Sequence, residues 1–177
     1  MSTPKRYHPL LVTLHWLIAA LVIFNLLLGF TQLGATPNDD AKIQALGLHM
    51  PIGIALFVLT IIRLFVRFFT PKPEPATAGN PILDKIGVAV HYLLYIVVLA
   101  MGLTGIGTSA LAGLSAIVFQ GSGPLPADFA EFPPAIGHGF FSFVLSGLVF
   151  LHVGAALFHQ FIRRDNLLSR MWFGRGE

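Results

Sequence analysis

The chain has 177 residues, of which 55% are hydrophobic and 11% are charged; its formal net charge is +3 at pH 7 and its mean hydropathy is +0.76. A soluble domain carries about 25% charged residues, so this chain has too little polar surface to cover itself in water. The absence of cysteine excludes disulfides, iron–sulfur ligation, thiolate-bound zinc and c-type haem attachment. The composition therefore predicts an integral membrane protein, with one domain over residues 1–177.

Four apolar stretches are long enough to cross a membrane, since a helix needs about 20 apolar residues to span the hydrocarbon core. The first lacks a small-residue cleavage site, so we expect a retained helix and not a signal peptide. The pattern predicts an all-α, integral membrane four-helix bundle. Its expected spans are about 9–33, 46–69, 81–107 and 134–162.

The third apolar region is too long for one ordinary span, because no charged residue occurs between Lys85 and Asp128. Three glycines are expected to break it up: Gly105, Gly107 and Gly113. We therefore expect residues 109–120 to lie at the outer interface or to pack on the bundle. A fifth span there would move the C-terminus to the opposite side of the membrane.

The basic residues oppose a fifth span, because a four-span topology places ten of the eleven on one side. These ten are Lys5, Arg6, Arg63, Arg67, Lys72, Lys85, Arg163, Arg164, Arg170 and Arg175. The other side has a local charge of −3, from Lys42 against Asp39, Asp40, Asp128 and Glu131. The positive-inside rule predicts that the basic side, and with it both termini, is cytoplasmic. The pI near 9.6 then reflects topology and not nucleic-acid binding.

Six of the seven histidines fall within the four apolar stretches, where an ionisable residue is a functional candidate by default. They are His15, His49, His91, His138, His152 and His159. His138 and His152 are 14 residues apart, which on a helix means roughly 21 Å of rise and a net rotation of about 40°. One helix therefore presents two histidines at two depths on nearly one face.

The other helices supply histidines at matching depths. His49 is level with His138 near the outer side, and His15 is roughly level with His152 near the inner side. Two axial imidazole pairs stacked in a helix bundle would hold two b-type haems. Two protein ligands per iron leave no open position, which favours electron transfer. The alternative for each histidine is a hydrogen bond to a neighbouring carbonyl, and the set also permits a transporter or a metal site without haem.

Several other residues have two interpretations each. Gly53 follows His49 by one turn and leaves room for a macrocycle, although glycine also favours ordinary helix packing. Arg63 and Arg67 are placed either to bind haem propionates or to act as snorkelling anchors. His159 lies two turns inside His152 on the same face, where it would be a shifted ligand, a quinone contact or a histidine that satisfies a carbonyl.

The chain resembles the bacterial cytochrome b561 family over nearly its whole length. The likeness rests on LVTLHWLIAALVIFNLLLGF, HMPIGIALFVLTIIRLFVRF, HYLLYIVVLAMGLTG and GHGFFSFVLSGLVFLHVGAALFHQFIRRDNLLSRM. It implies a small di-haem membrane cytochrome that exchanges electrons with ubiquinone. It pairs His15 with His152 and His49 with His138, as the depths do, and it suggests His159 with Trp16 near an inner quinone site.

The function expected from this resemblance is electron transfer between a periplasmic donor and the ubiquinone pool. One branch of the family is superoxide oxidase, which is similar to this chain in length and tail. The outer loops depart from what that substrate needs, because an anion is attracted by positive potential and these loops carry −3. The alternative is a haem-bearing membrane anchor subunit of a larger dehydrogenase or hydrogenase.

Overall fold

A computed structural model describes residues 4–173, and within that range every regular element is helical. The α-helices are α1 (Pro9–Leu28), α2 (Asp40–Phe69), α3 (Pro81–Leu111), α4 (Leu114–Gln120) and α5 (Pro133–Leu157). Helix α1 continues into a π-helical turn at Gly29–Leu33, and α5 into another at Phe158–Arg163. Short 3-10 turns occur at Phe129–Glu131 and Leu167–Met171.

Within the described residues, four helical segments are long and apolar enough to cross a membrane, which confirms the all-α, four-span prediction. They are Pro9–Leu33, Asp40–Phe69, Pro81–Leu111 and Pro133–Arg163. The second segment begins at Asp40 and not near residue 46, because Asp39 caps it. The Asp39 carboxylate accepts hydrogen bonds from the backbone N–H groups of Ala41 and Lys42, which extends the helix beyond the apolar run.

The expectation that Gly105 and Gly107 break the third span was wrong. Both lie inside α3, where they let the helix approach α5 closely. A Cβ atom on Gly105 would lie 3.2 Å from Cε1 of His138, and one on Gly107 would lie 3.2 Å from Cβ of Pro134. Small residues commonly serve this purpose where membrane helices cross.

The break occurs further along, where Gly113 adopts the left-handed conformation with φ +64°. The helix that follows, α4, has seven residues, too few to cross a membrane. Its Leu114 and Ile117 are buried in a cluster with Leu46 of α2. Residues 109–120 therefore pack on the bundle, which is one of the two expected arrangements.

The centre of the bundle is an apolar cluster to which all four long helices contribute. Its buried members are Val22, Leu56, Val90, Val97, Val98, Leu145 and Leu148. Helix α1 packs mainly on α2 and α5 mainly on α3, while α2 and α3 join the two pairs. Among the described residues, few backbone contacts link α1 or α2 to α5, so their side chains face one another across the interior.

The two ends of the described chain lie at the same end of the bundle. The backbone N–H of Tyr7 donates to the carbonyl of Arg170 (3.1 Å), and the guanidinium of Arg6 donates to the carbonyl of Phe173 (3.3 Å). Arg170 in turn donates to the carbonyl of Glu74 in the link between α2 and α3 (2.7 Å).

We call this the basic end, after Lys5, Arg6, Arg63, Arg67, Lys72, Lys85, Arg163, Arg164 and Arg170. Arg175, the tenth predicted member, lies outside the described residues. The opposite end is called the acidic end, after Asp39, Asp40, Asp128 and Glu131. The charge asymmetry predicted from the sequence thus coincides with the two ends of the bundle.

Candidate functional site

Two pairs of histidines face each other across the interior, one nearer each end of the bundle. His15 of α1 and His152 of α5 have ring centres 6.0 Å apart and ring planes at 76°. His49 of α2 and His138 of α5 have ring centres 6.0 Å apart and planes at 74°. The structure therefore brings together both pairs that the sequence predicted, in nearly the same geometry.

The spacing within each pair fits an iron with two axial imidazoles. A metal–nitrogen bond of roughly 2 Å on each side, plus about 1 Å from each nitrogen to its ring centre, puts the centres roughly 6 Å apart. Within residues 4–173, no three His, Cys, Asp or Glu side chains converge on one metal position. Each pair would therefore supply two ligands, the number that a haem macrocycle leaves for the protein.

The pair nearer the acidic end, His49 and His138, is called the outer pair, and it lies in surroundings that suit ligation. Nδ1 of His138 is 3.1 Å from the Met101 carbonyl and 3.2 Å from Oγ1 of Thr104. A ligating histidine usually donates its second ring N–H to such an acceptor, which fixes the tautomer and leaves Nε2 for the metal. Among the described residues, Nδ1 of His49 is buried without a hydrogen-bond partner. No described group therefore fixes the tautomer of that ring, and either ring nitrogen can carry its proton.

Gly53 of α2 lies near this site, at a contact with Asn25 of α1. A Cβ atom there would lie 3.7 Å from Nδ2 of Asn25. The buried Asn25 amide donates to the carbonyl of His49 at 3.4 Å. Gly53 thus lies at the contact between α1 and α2, where it leaves room for the residue that is bonded to the His49 backbone. The glycine that borders the His49 ring is Gly29: a Cβ atom there would lie 3.7 Å from Cε1 of His49.

The pair nearer the basic end, His15 and His152, is called the inner pair, and it lies beside the guanidinium of Arg63. A guanidinium nitrogen of Arg63 is 3.3 Å from Nδ1 of His15, and the other terminal nitrogen donates to the hydroxyl of Tyr95 at 2.9 Å. Arginine only donates, so Nδ1 of His15 is the acceptor in this contact. A His15 that bound iron through Nε2 would carry its proton on Nδ1, which would release Arg63 to another acceptor. Arg63 therefore lies within the site, while Arg67 lines a small cavity between α2 and α3 together with Tyr95.

His91 is a third histidine at the inner pair, and the sequence did not assign it a role. Its ring centre is 5.0 Å from that of His152, and its Nδ1 is 2.6 Å from the carbonyl of Gly87. The sequence places His91 at a suitable depth, but the rotation of α3 that turns it toward His152 depends on tertiary packing.

The two residues suggested for a quinone site lie at the basic end. The indole N–H of Trp16 donates to the Met171 carbonyl at 2.7 Å, and its ring packs 5.2 Å from His15. His159 is 8% exposed, and its Nδ1 is 2.6 Å from Oδ2 of Asp165. Asp165 is a further candidate residue that sequence reasoning missed.

Comparison with known proteins gives consistent results over nearly the whole chain. A family model described as prokaryotic cytochrome b561 matches residues 6–174. Cytochrome b562 of Cereibacter sphaeroides is 31% identical, over 97% of this chain and 98% of its own. Cytochrome b561 homolog 2 of Escherichia coli is 31% identical, over 96% and 93%. A protein of Yersinia pestis named probable superoxide oxidase CybB is 28% identical, over 94% and 96%.

Proposed function

Because the chain belongs to the prokaryotic cytochrome b561 family of multi-pass membrane electron-transfer proteins, we propose that it is a di-haem b-type cytochrome of the bacterial inner membrane. It transfers electrons between a periplasmic donor and the ubiquinone pool. One observation carries the proposal. Two histidine pairs, each with ring centres 6.0 Å apart, lie near opposite ends of one bundle.

The chain's own residues supply the ligands and the environment. His15 and His152 would hold the inner haem and His49 and His138 the outer one, and each haem when bound would supply a one-electron carrier. With two histidines of the chain for each haem, the group would exchange electrons without binding substrate. Arg63, already beside His15, provides a donor for a propionate of the inner haem.

The charge difference between the two ends of the bundle supports a direction of access. The basic end faces the cytoplasm by the positive-inside rule, with ubiquinone entering there near His159 and Trp16. The acidic end then faces the periplasm and meets the donor.

The relative named probable superoxide oxidase supports superoxide as a candidate donor. The carboxylates of the acidic end repel an anionic substrate. Among the described residues, the basic side chain at that end is Lys42, which is buried and already hydrogen-bonded. Lys42 is 9% exposed and its Nζ donates to Oδ1 of Asn38 at 2.9 Å. Superoxide and a neutral or cationic donor are separated by measuring haem reduction with each.

The alternative is a haem-bearing anchor subunit of a larger dehydrogenase or hydrogenase, which predicts a stable partner. Purification from the native membrane in mild detergent, followed by mass spectrometry of any stoichiometric companion, tests it. A chain that purifies alone with quinone-linked activity supports the independent cytochrome.

The proposal itself is tested by the visible spectrum of the purified protein. A reduced-minus-oxidised difference spectrum is expected to show a b-type α-band, with two haems per chain by pyridine haemochrome assay. A haem-free protein after expression with ample haem supply, or no α-band on reduction, would overturn the proposal.

A further inference from the structure

The chain is bent back on itself immediately after the last span. Helix α5 becomes π-helical over Phe158–Arg163, a local geometry often found at functional sites. In the described part of the chain, the two non-glycine residues with positive φ are Arg164 (57°) and Asn166 (54°). They flank Asp165, and such strained backbone persists only where the surrounding structure holds it.

The result of this bend is a close pair between His159 and Asp165. The backbone N–H of Asp165 donates to the carbonyl of His159 at 3.3 Å, and the side chains meet with Nδ1 and Oδ2 2.6 Å apart. His159 is buried at 8% exposure. An imidazole that donates Nδ1–H to a carboxylate has its orientation and tautomer fixed, and its Nε2 remains available for another partner.

The surroundings of Asp165 favour its ionised form. The backbone N–H of Leu167 donates to Oδ1 at 3.2 Å, and Nε of Arg163 lies 3.6 Å from Oδ2. Partial burial alone would raise the pKa of the Asp165 carboxyl, but the bond from His159, the Leu167 N–H and the Arg163 charge together hold it below its usual value. The carboxylate is therefore a permanent acceptor for the imidazole at neutral pH.

The other charged groups near the pair are few. Arg163 belongs to the same π-helical segment and donates to the carbonyl of Ala78 at 2.6 Å. Asp84 of α3 interacts electrostatically with both His159 and Arg163, and its carboxylate accepts from the N–H of Ala78. Arg170, on the turn that follows, donates to the Glu74 carbonyl. Asp165 alone among these groups is hydrogen-bonded to the His159 ring in the described structure.

We propose that Asp165 is a positioning residue that holds His159 as the proton donor and acceptor for ubiquinone at the basic end. This inference rests on the proposed function, in which quinone binds near His159. Conversion of the quinone to the quinol takes two electrons and two protons, whereas the haems carry electrons alone. The quinone oxygens must therefore exchange protons with water or with a side chain at the site, and His159 is the side chain that we assign to one of them.

Reduction of the quinone takes two electrons from the donor, which bound haem would carry one at a time. At one quinone oxygen the Nε2–H bond of the His159 imidazolium breaks and an O–H bond forms, and the neutral imidazole then regains a proton from cytoplasmic water. The other oxygen takes its proton from interfacial water. Asp165 stays ionised throughout and stabilises the imidazolium, and quinol oxidation reverses each transfer.

The experiment measures the rate at which the pre-reduced holoprotein is reoxidised by a short-chain ubiquinone, by stopped flow from pH 5 to 9. Asp165→Asn is expected to keep both haems while the rate at pH 7 falls at least tenfold, since a positioned general acid typically contributes 10²–10⁴-fold. The pH dependence of the rate should also change, because the imidazole that exchanges the proton loses its carboxylate partner. Asp165→Glu should restore part of the rate.

The matched control is Glu74→Gln, which removes the same charge at the same end from an exposed side chain and should leave the profile unchanged. If Asp165 acts through His159, adding Asp165→Asn to His159→Gln should slow the reaction no further. Three results would overturn the inference: a double variant slower than either single variant, an unchanged pH profile in Asp165→Asn, or loss of haem from Asp165→Asn. Asp165 would then only stabilise the fold of the segment that follows the last span. Failure of the unmodified holoprotein to react with ubiquinone would instead overturn the proposed function.

Discussion

Gly105 is the position where the smallest substitution should have the most specific effect on the outer histidine pair. A Cβ atom there would lie 3.2 Å from Cε1 and 3.4 Å from Nδ1 of His138. Nδ1 of the same ring is hydrogen-bonded to the Met101 carbonyl and the Thr104 hydroxyl, which lie on the adjoining turn of α3. Gly105→Val therefore pushes the ring away from its own hydrogen-bond acceptors and from the position that faces His49.

The expected cost follows from the lack of space. Overpacking a well-packed interior costs about 1–3 kcal/mol, and here the strain falls on a proposed ligand. If that free energy is expressed in haem binding, the affinity for the outer haem falls about 5- to 150-fold. The inner pair should be unaffected, because His138 and His152 are roughly 21 Å apart along α5.

The assay is the haem-to-protein ratio together with a redox titration that resolves the two haems. The matched control is Gly107→Val, because its Cβ atom would lie equally close, at 3.2 Å, to Cβ of Pro134 and not to a histidine. The account predicts selective loss or shifted potential of one haem in Gly105→Val alone. Unchanged haem content and potentials in that variant, or equal loss of the outer haem in both, would refute the reasoning.

Three further predictions concern other parts of the site. Arg63→Gln should keep both haems but lower the midpoint potential of the inner haem by tens of millivolts, because a nearby cation disfavours the ferric form; an unshifted titration would contradict this. His91→Asn should retain two haems per chain, since its 5.0 Å separation from His152 is shorter than a shared iron requires; loss of a haem would make His91 the ligand. A reporter fused after Glu177 should be active in the cytoplasm, because the basic end carries the positive charge; activity confined to the periplasm would reverse the assignment.

The sequence alone was sufficient for the features that depend on hydrophobicity and helical spacing. Span length gave the four crossings, and the depths of His15, His49, His138 and His152 indicated the two pairs that the structure brings face to face. Those depths follow from a constant rise per residue, so they do not depend on how the helices rotate.

Features that depend on rotation or on chain reversal could not be obtained in this way. The approach of His91 to His152 requires a particular rotation of α3, and the return of Asp165 to His159 requires the π-helical turn and two left-handed residues. The glycines of α3 were misjudged for a related reason. In an apolar span Gly105 is held helical by its neighbours, and its small size is used for contact with His138.

The most direct test of the central claim is the haem content of the unmodified chain, His15→Ala, His49→Ala and the double variant, measured side by side by pyridine haemochrome assay. Two haems per chain are expected in the unmodified protein, one in each single variant and none in the double variant, because each substitution removes one proposed ligand from one pair. Two haems retained in either single variant, or both lost together in each, would contradict the assignment of two independent histidine pairs.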